Sequence, residues 1–248
     1  MHEEKIGRYV IKNVLGEGAM GRVYACYDPN LERRVAIKTM RTGQLQPEDL
    51  EEFKERFAQE ARVSGRLTHP NIVGIYDSGM HDKEPFLVME FIDGTPLDTF
   101  VRNNQKAVLE QFIALAGQTA AGLDFAHEEE VIHRDIKPGN IMVTKSRSGK
   151  LRSKILDFGL ARLQDSKITQ TGFFLGTPSY ASPEQVITGK VDFRSDIFSF
   201  GTVIYEMLTG SLPFEAESLH AILYQIANEK PKNTECKGKR EGKAIDAD

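Results

Sequence analysis

Residues 133–140 read HRDIKPGN and hold three side chains suited to catalysis within six positions. They are a carboxylate at Asp135, a cation at Lys137 that follows the cation at Arg134, and an amide at Asn140. Apolar residues flank the segment on both sides, so the pattern predicts a polar loop between two strands. A loop with this content can orient a proton acceptor beside a cation.

A second carboxylate follows a short apolar run, in residues 157–159 with the sequence DFG. Carboxylate and amide oxygens are ligands that hard divalent cations prefer. Asp157 and Asn140 are therefore the candidate ligands of Mg²⁺. The six histidines and two cysteines show no spacing typical of a transition-metal site.

Residues 16–21 read GEGAMG, with glycines at positions 16, 18 and 21 that would let a backbone approach phosphates closely. In a dinucleotide fold the third glycine opens a helix. Here the residues after Gly21 continue as a strand into a hairpin, which favours a loop that covers a nucleotide. A dinucleotide oxidoreductase is therefore a distant alternative.

Lys38 ends the apolar run VAIK at residues 35–38, where an ammonium group needs an anionic partner. Pro47 begins a predicted amphipathic helix that runs to about Leu67. Glu60 on that helix is the candidate partner, and the phosphates of ATP are the other.

Strand patterns dominate the first third of the chain, and helical patterns dominate the remainder, which predicts an α+β fold in two lobes. Further strands are predicted at residues 72–76 and 86–90, before a turn at Asp93-Gly94. One predicted helix has Leu109, Ile113 and Leu123 on a single face, and another spans the apolar run 197–208.

The composition gives no reason to expect a nucleic-acid partner, because 32 basic and 36 acidic residues leave a formal charge of -4. Two cysteines, Cys26 and Cys236, are 210 positions apart, which fits a reducing cytoplasm better than a disulfide framework. No apolar stretch approaches the length of a membrane span, so we expect no membrane segment in this chain.

Taken in order and spacing, these segments resemble the eukaryotic-like serine/threonine protein kinases across roughly residues 9–228. The elements that match are the Gly-rich loop with Val23, VAIK, HRDIKPGN, DFG, and Ser182-Pro183-Glu184 where A-P-E is usual. Gly139 and residues 179–185 are most similar to bacterial members, which points to a prokaryotic source.

The resemblance implies a bilobal kinase fold with a small antiparallel β-rich N-lobe (9–90) and a mainly helical hinge and C-lobe (91–228). Residues 1–8 would be an N-terminal extension, and residues 229–248 a charged, disordered tail. Compared with the family, the C-lobe looks truncated. We therefore expect Glu184 to lack its usual arginine partner and the C-lobe to be fragile, aggregation-prone or completed by another chain.

The resemblance also implies phosphoryl transfer from ATP to protein serine or threonine hydroxyls. Asp135 would accept the hydroxyl proton, Lys137 would steady the phosphoryl group, and Asn140 and Asp157 would hold Mg²⁺. Lys137, together with Thr177, is typical of serine/threonine kinases and not of tyrosine kinases. The alternative is a catalytically silent ATP-binding or scaffold module.

An adenine pocket follows from the same resemblance, with Met89 as the gatekeeper and backbone groups of Glu90 and Ile92 as hydrogen-bonding partners. Four apolar side chains would sandwich the ring: Leu15, Val23, Ala36 and Met142. Gly16, Gly18, Gly21, Lys38 and Glu60 would complete the nucleotide site.

Regulation is predicted in the stretch between the DFG and S-P-E segments. A phosphate on Thr169 or Thr171 would add close to two negative charges and could pair with Arg134 beside Asp135. We therefore expect autophosphorylation at one of these threonines. The predicted partners are protein substrates and, through self-association, a second copy of the chain.

Overall fold

The computed structural model describes residues 4–18, 21–43, 46–103, 109–159 and 178–233. The chain divides into two compact units. The first consists of Met1–Arg134 and Pro138–Phe173, and the second consists of Asp135–Lys137 and Phe174–Asp248. In the described part of the chain, no helix combines the length and the apolar composition needed to cross a bilayer.

An antiparallel sheet forms the first part of the first unit, with its six strands in the order β1-β2-β3-β4-β6-β5. The strands are β1 (Lys5–Ile6), β2 (Tyr9–Gly18), β3 (Gly21–Asp28), β4 (Arg33–Met40), β5 (Ile75–His81) and β6 (Glu84–Glu90). The strand-rich opening is therefore confirmed. The Gly-rich segment lies within the β2–β3 hairpin, where Gly18 pairs with Gly21.

Alternation along the strands gives this sheet two apolar faces. One face and the adjoining helix form a cluster of buried residues: Ala36, Met40, Phe57, Ala61, Val73, Leu87 and Met89. The opposite face forms another cluster: Ile6, Tyr9, Cys26, Val35, Ile37, Phe86 and Val88. Burial raises the pKa of the Cys26 thiol to about 11, which keeps it protonated and unreactive at neutral pH.

The predicted amphipathic helix is α1 (Pro47–Ser64), which ends three residues before the expected Leu67. Proline suits the first turn because its missing N–H would have no helical acceptor there. Phe57 and Ala61 bury one side of the helix against the sheet, and Glu60 is also buried. The helix therefore delivers a carboxylate to the apolar side of the sheet.

The strand predicted at residues 72–76 is wrong in its first half, because β5 begins only at Ile75. The preceding residues pair with the end of another strand instead. Ile72 forms a parallel bridge with Ile155, and the Val73 N–H donates to the Ile155 carbonyl at 2.9 Å. The Ile155 N–H in turn donates to the Asn71 carbonyl at 2.8 Å. The apolar run 72–76 is thus shared between two sheets.

A second sheet in the first unit has the order β7-β8-β9, formed by β7 (Gly94–Pro96), β8 (Ile141–Lys145) and β9 (Leu151–Ile155). Helices α2 (Leu97–Asn103) and α3 (Leu109–Glu128) belong to the same unit. The strand expected just before residue 133 does not form, whereas β8 follows residue 140 as predicted. A strand therefore follows the polar loop, but within the described range 109–159 no strand precedes it.

The face predicted for α3 is only partly right, because Leu123 is buried but Leu109 and Ile113 are exposed. Its buried residues are Leu115, Thr119, Gly122, Leu123 and Ala126. A Cβ on Gly122 would lie 3.1 Å from Ile155 Cδ1 and 3.2 Å from the Asn71 carbonyl oxygen. Small residues face β9 because the helix approaches it so closely.

The second unit contains α4 (Pro183–Ile187), α5 (Phe193–Thr209) and α6 (Leu219–Asn228). Each helix begins with a side-chain cap, from Ser182, Asp192 and Ser218 respectively. Gly210 ends α5 in the left-handed conformation, with φ 70°, as its position after the apolar run predicts. The helix is buried on one side only, since Phe193 and Ile197 are exposed.

Residues 229–233, which were expected to belong to a disordered tail, are described by the structure. The Lys232 N–H donates to the Pro213 carbonyl at 3.2 Å, and Tyr205 Oη donates to the Lys232 carbonyl at 2.7 Å. The chain therefore packs within the second unit at least to that position.

Candidate functional site

Lys38 and Asp157 form an ion pair in the first unit, with 2.7 Å between Lys38 Nζ and Asp157 Oδ2. The Lys38 side chain is 11% exposed and that of Asp157 is 24% exposed, so water screens the pair only partly. Lysine and DFG aspartate, far apart in sequence, thus meet at the end of the sheet. This pair is accessible enough to exchange one partner for phosphate or a metal ion.

Asn140 lies beside the same segment. It closes a 3-10 turn (Pro138–Asn140), and its carbonyl accepts the Leu156 N–H at 2.9 Å. Its side chain is largely buried. Asp157 itself has φ 60°, a left-handed backbone that is uncommon for any residue except glycine. The backbone hydrogen bond between Leu156 and Asn140 therefore keeps the two predicted magnesium ligands, Asn140 and Asp157, close together in the first unit.

His133 packs against this region. It is fully buried, and its Nε2 is 2.6 Å from the Leu156 carbonyl oxygen. Its ring meets that of Phe158 edge-on, with 4.8 Å between centroids. His133 therefore contacts both residues that flank Asp157 in the sequence.

Ser64, at the end of α1, contacts the same segment from the helix side. Its hydroxyl donates to the Phe158 carbonyl at 2.8 Å, with both groups buried. A Cβ on Gly159 would lie 2.9 Å from both Ser64 Oγ and Glu60 Oε2. Glu60 therefore lies close to the DFG backbone, and its pairing with Lys38 stays a prediction.

A small cavity adjoins this contact, between α1, β5, β6 and the DFG segment. Its lining combines apolar side chains with the serine and the aspartate: Ser64, Ile72, Val73, Ile75, Leu87, Met89, Asp157 and Phe158. A serine at residue 64 leaves this space open, where a larger apolar side chain would fill it.

The residues predicted to surround adenine lie in the first unit. Val23, Ala36, Met89 and Ile92 pack into one apolar cluster. Leu15 is 49% exposed on β2, and Met142 is partly buried on β8. The Glu90 N–H donates to the Gly74 carbonyl at 2.8 Å, which removes it from the groups that adenine was predicted to use.

Glu90 also has a role that the sequence did not indicate. Its Oε2 lies 2.6 Å from Lys154 Nζ on β9 and accepts the Gly74 N–H at 3.3 Å. Lys154 Nζ also donates to the Ile72 carbonyl at 3.3 Å. The side chain of the hinge residue thus links the two sheets of the first unit. No sequence motif marks Lys154 for this contact.

Asp135 and Lys137 belong to the second unit, where Lys137 Nζ lies 2.7 Å from Asp135 Oδ2. Both side chains are partly exposed. Arg134, the last residue of its segment in the first unit, has a left-handed φ of 70°. The ammonium group of Lys137 is therefore in direct contact with the carboxylate of the predicted base.

The carboxylate of Glu184 is bonded by hydroxyl groups. Ser195 Oγ on α5 donates to Glu184 Oε1. Burial raises the pKa of Glu184, but hydrogen bonds from Ser195 and Ser182 outweigh it and hold the pKa below the ordinary value. Hydroxyl donors therefore bond this carboxylate, and the expectation that Glu184 lacks its usual arginine partner stays a prediction.

Two regulatory predictions lie outside the described residues. Thr169 and Thr171 both fall in the range 160–177, as does Thr177. Their predicted roles stay predictions.

Comparison with known proteins decides the family. A family model described as protein kinase domain matches residues 9–244. The chain belongs to this protein kinase family. Its kinase domain is 41% identical over 236 residues to the serine/threonine-protein kinase PksC of Streptomyces coelicolor, covering 91% of this chain and 41% of that protein.

Mycobacterial relatives are similar to this kinase domain at almost the same level. Serine/threonine-protein kinase PknB of Mycobacterium leprae is 38% identical over 230 residues, which cover 90% of this chain and 36% of that protein. PknB of Mycobacterium tuberculosis is 37% identical over 231 residues, with the same coverage of 90% and 36%. The chain thus spans well under half the length of these relatives.

The kinase family confirms the α+β fold class and the resemblance to bacterial serine/threonine kinases. It does not favour the alternative of a silent module, because these relatives are named kinases. Members of the family generally use ATP and Mg²⁺.

Proposed function

We propose that this chain transfers the γ-phosphate of ATP to serine and threonine hydroxyls of proteins. The observation that carries the proposal is the ion pair between Lys38 and Asp157, at 2.7 Å. A lysine that binds the phosphates and an aspartate that binds the metal ion must lie close together, because both act on the same phosphate oxygens. Names of the relatives add support, because each is called a serine/threonine-protein kinase.

Mg²⁺ fits the residues that would hold it. Asp157 offers a carboxylate and Asn140 an amide oxygen, and the Leu156 N–H to Asn140 carbonyl bond fixes the spacing of their backbones. Such oxygen donors suit a small hard cation that keeps several waters. When bound, Mg²⁺ neutralises charge on the phosphates of ATP.

The protein groups would then divide the remaining work. Lys38 would hold phosphate oxygens, and the apolar cluster of Val23, Ala36 and Met89 would pack on adenine. Asp135 would orient the substrate hydroxyl and accept its proton at a carboxylate oxygen. Lys137, 2.7 Å from Asp135 Oδ2, would steady the transferred group.

Autophosphorylation of Thr169 or Thr171 remains part of the proposal, with Arg134 as the partner of the new phosphate. So do protein substrates, self-association and a cytoplasmic location, the last supported by the free, buried Cys26. Domain limits of 9–228, with the hinge after residue 90, are proposed on the same motifs.

Radiolabelled phosphate transfer to a generic basic protein tests this function. The wild type should label the substrate, whereas Asp135→Asn and Lys38→Met should reduce labelling to background. Lys83→Glu, an exposed change on the turn between β5 and β6, is the matched control and should label like the wild type. Wild-type labelling no higher than that of Asp135→Asn would reject the proposal.

A further inference from the structure

Four exposed cations surround the tip of the β8–β9 hairpin. Residues 145–152, here named the basic hairpin, read KSRSGKLR, and the cations are Lys145, Arg147, Lys150 and Arg152. No acidic residue occurs between Asp135 and Asp157. Within the described part of the chain, none of the four has a carboxylate within salt-bridge distance. The positive charge of the basic hairpin is therefore uncompensated.

The tip of the basic hairpin is an ordered turn. The Ser146 N–H donates to the Lys150 carbonyl at 2.8 Å, and the Gly149 N–H donates to the Ser146 carbonyl at 2.9 Å. Ser146 Oγ also accepts the Lys150 N–H at 3.1 Å. Gly149 supplies the left-handed residue of this turn, with φ 79°. These bonds fix the backbone of the turn from which the exposed cations project.

Neither the fold nor the catalytic residues use this charge. Lys154, the next cation along β9, is already paired with Glu90. Like charges within a Debye length repel one another, so the basic hairpin costs stability unless an anionic group approaches it. The whole chain carries a formal charge of -4, so a general excess of basic residues does not explain the cluster.

Its position connects the basic hairpin to the proposed chemistry. β8 starts directly after Asn140, and β9 ends two residues before Asp157. At about 3.3 Å per residue, Lys145 and Arg152 lie roughly 16 Å along the strands from these two candidate magnesium ligands, and Arg147 and Lys150 lie farther out at the turn. An extended peptide covers that distance with about five residues.

We propose that the basic hairpin is a docking site for an acidic segment of a protein substrate, separated from the phosphorylated hydroxyl by at least about five residues. The proposal rests on the kinase function proposed above and adds a substrate class to it. Docking of this kind raises the local concentration of the hydroxyl at the site without new contacts there.

A protein segment fits the basic hairpin better than a nucleic acid or a membrane does. Residues 141–156 include no aromatic side chain on which a base could stack. They also include no large exposed apolar residue that could anchor the hairpin in lipid.

Two peptides test the inference. Both contain the same phosphorylatable segment, and one continues into a run of Glu and Asp whereas the other continues into Gln and Asn. Fluorescence anisotropy measures binding of each labelled peptide at about 50 mM and about 300 mM salt, and kinetics give KM and kcat. The wild type should prefer the acidic peptide, more strongly at low salt, through a lower KM at similar kcat.

The double variant Arg147→Glu/Lys150→Glu should weaken binding of the acidic peptide about ten-fold or more, since two attractive surface pairs become repulsive. Its autophosphorylation and its labelling of the generic basic protein should not fall. The matched control is Arg66→Glu/Lys83→Glu, two exposed cations elsewhere in the first unit, and it should bind like the wild type.

Equal affinity of the wild type and the hairpin variant for the acidic peptide would overturn the docking proposal. The proposal would also be overturned if the hairpin variant lost binding to anionic vesicles or to a single-stranded oligonucleotide but still bound the acidic peptide like the wild type. Failure of the kinase function looks different: no protein would then be labelled by any variant, while the anisotropy difference between wild type and hairpin variant persists.

Discussion

A Cβ placed on Gly21 would lie 1.8 Å from the carbonyl oxygen of Thr39, which is far inside van der Waals contact. The other two glycines of the Gly-rich segment differ, because a Cβ on Gly16 or Gly18 would meet nothing within 4 Å. The three glycines therefore serve different purposes. Gly21 allows β3 to approach β4, and the other two leave open space above the sheet.

This difference separates stability from nucleotide binding. Gly21→Ala should lower the free energy of unfolding by about 1 to 3 kcal/mol or more, because the β3–β4 pairing must shift. Gly16→Ala and Gly18→Ala should keep the unfolding midpoint but raise the KM for ATP. Thermal unfolding and ATP titration measure the two effects. A normal midpoint for Gly21→Ala would contradict the packing argument.

Asp157→Asn should abolish most phosphoryl transfer, with a loss of at least about 100-fold, because it removes both the proposed metal ligand and the anionic partner of Lys38. Activity should remain low at any Mg²⁺ concentration that the assay tolerates. A Mg²⁺ titration of initial rates checks this. Asp93→Asn, an exposed acidic residue paired with Arg34, is the control and should keep wild-type activity. Full recovery at high Mg²⁺ would argue for a role in binding affinity alone.

Ser64→Ala should destabilise the first unit by about 1 to 2 kcal/mol, since the buried Phe158 carbonyl loses the hydroxyl donor that bonds it at 2.8 Å. Ser64→Thr keeps a hydroxyl and should lose less. Denaturant unfolding followed by far-UV circular dichroism measures both. Equal stability of the alanine and threonine variants would show that the hydroxyl itself contributes little.

Glu184 should make the second unit sensitive to acid. Its folded-state pKa is depressed below the ordinary 4.5, so its contribution to stability is present above about that pH and is lost as pH falls through the folded value. Ser195→Ala removes the main donor and brings the pKa back up. The variant should be less stable at pH 7, and its stability should fall less steeply below pH 4.5 than that of the wild type.

Unfolding midpoints between pH 7 and pH 3 measure this slope. Thr188→Ala, a change on an exposed hydroxyl that bonds the Glu184 carbonyl and not its carboxylate, serves as the control. Parallel curves for the wild type and Ser195→Ala would mean that the hydroxyl does not set the titration of Glu184.

The candidate site residues could be predicted because charged side chains are rare next to buried apolar strands. A lysine at the end of a buried strand needs an anionic partner, but the expected partner of Lys38 was Glu60, and its contact with Asp157 was not predicted. Their positions were marked by motif order. The strand-rich opening and α1 were predictable for a related reason, since their periodicity agrees with the local propensity of the residues.

The buried face of α3 was not predictable from apolar periodicity. That pattern weighs large apolar side chains, such as Leu109 and Ile113, which the structure exposes. The true face contains Thr119 and Gly122 because β9 lies too close for anything larger. Close approach between elements depends on tertiary packing, and a single sequence does not show it.

Long-range polar contacts were missed for a similar reason. Lys154 and Glu90 are 64 positions apart, and nothing in either segment distinguishes them from solvent-exposed charges. Ser64 makes a buried hydrogen bond to the Phe158 carbonyl that a larger apolar residue could not make, and no sequence pattern indicates this contact. Such a contact becomes visible only when the acceptor, the Phe158 carbonyl, is placed.

The contact between Glu90 and Lys154 couples two strands that belong to different sheets. Glu90 is the last residue of β6, and its carboxylate bonds both Lys154 on β9 and the Gly74 N–H. A substitution that removes this carboxylate would therefore also release Lys154, and β9, the strand that ends two residues before Asp157, would lose a polar attachment to β6.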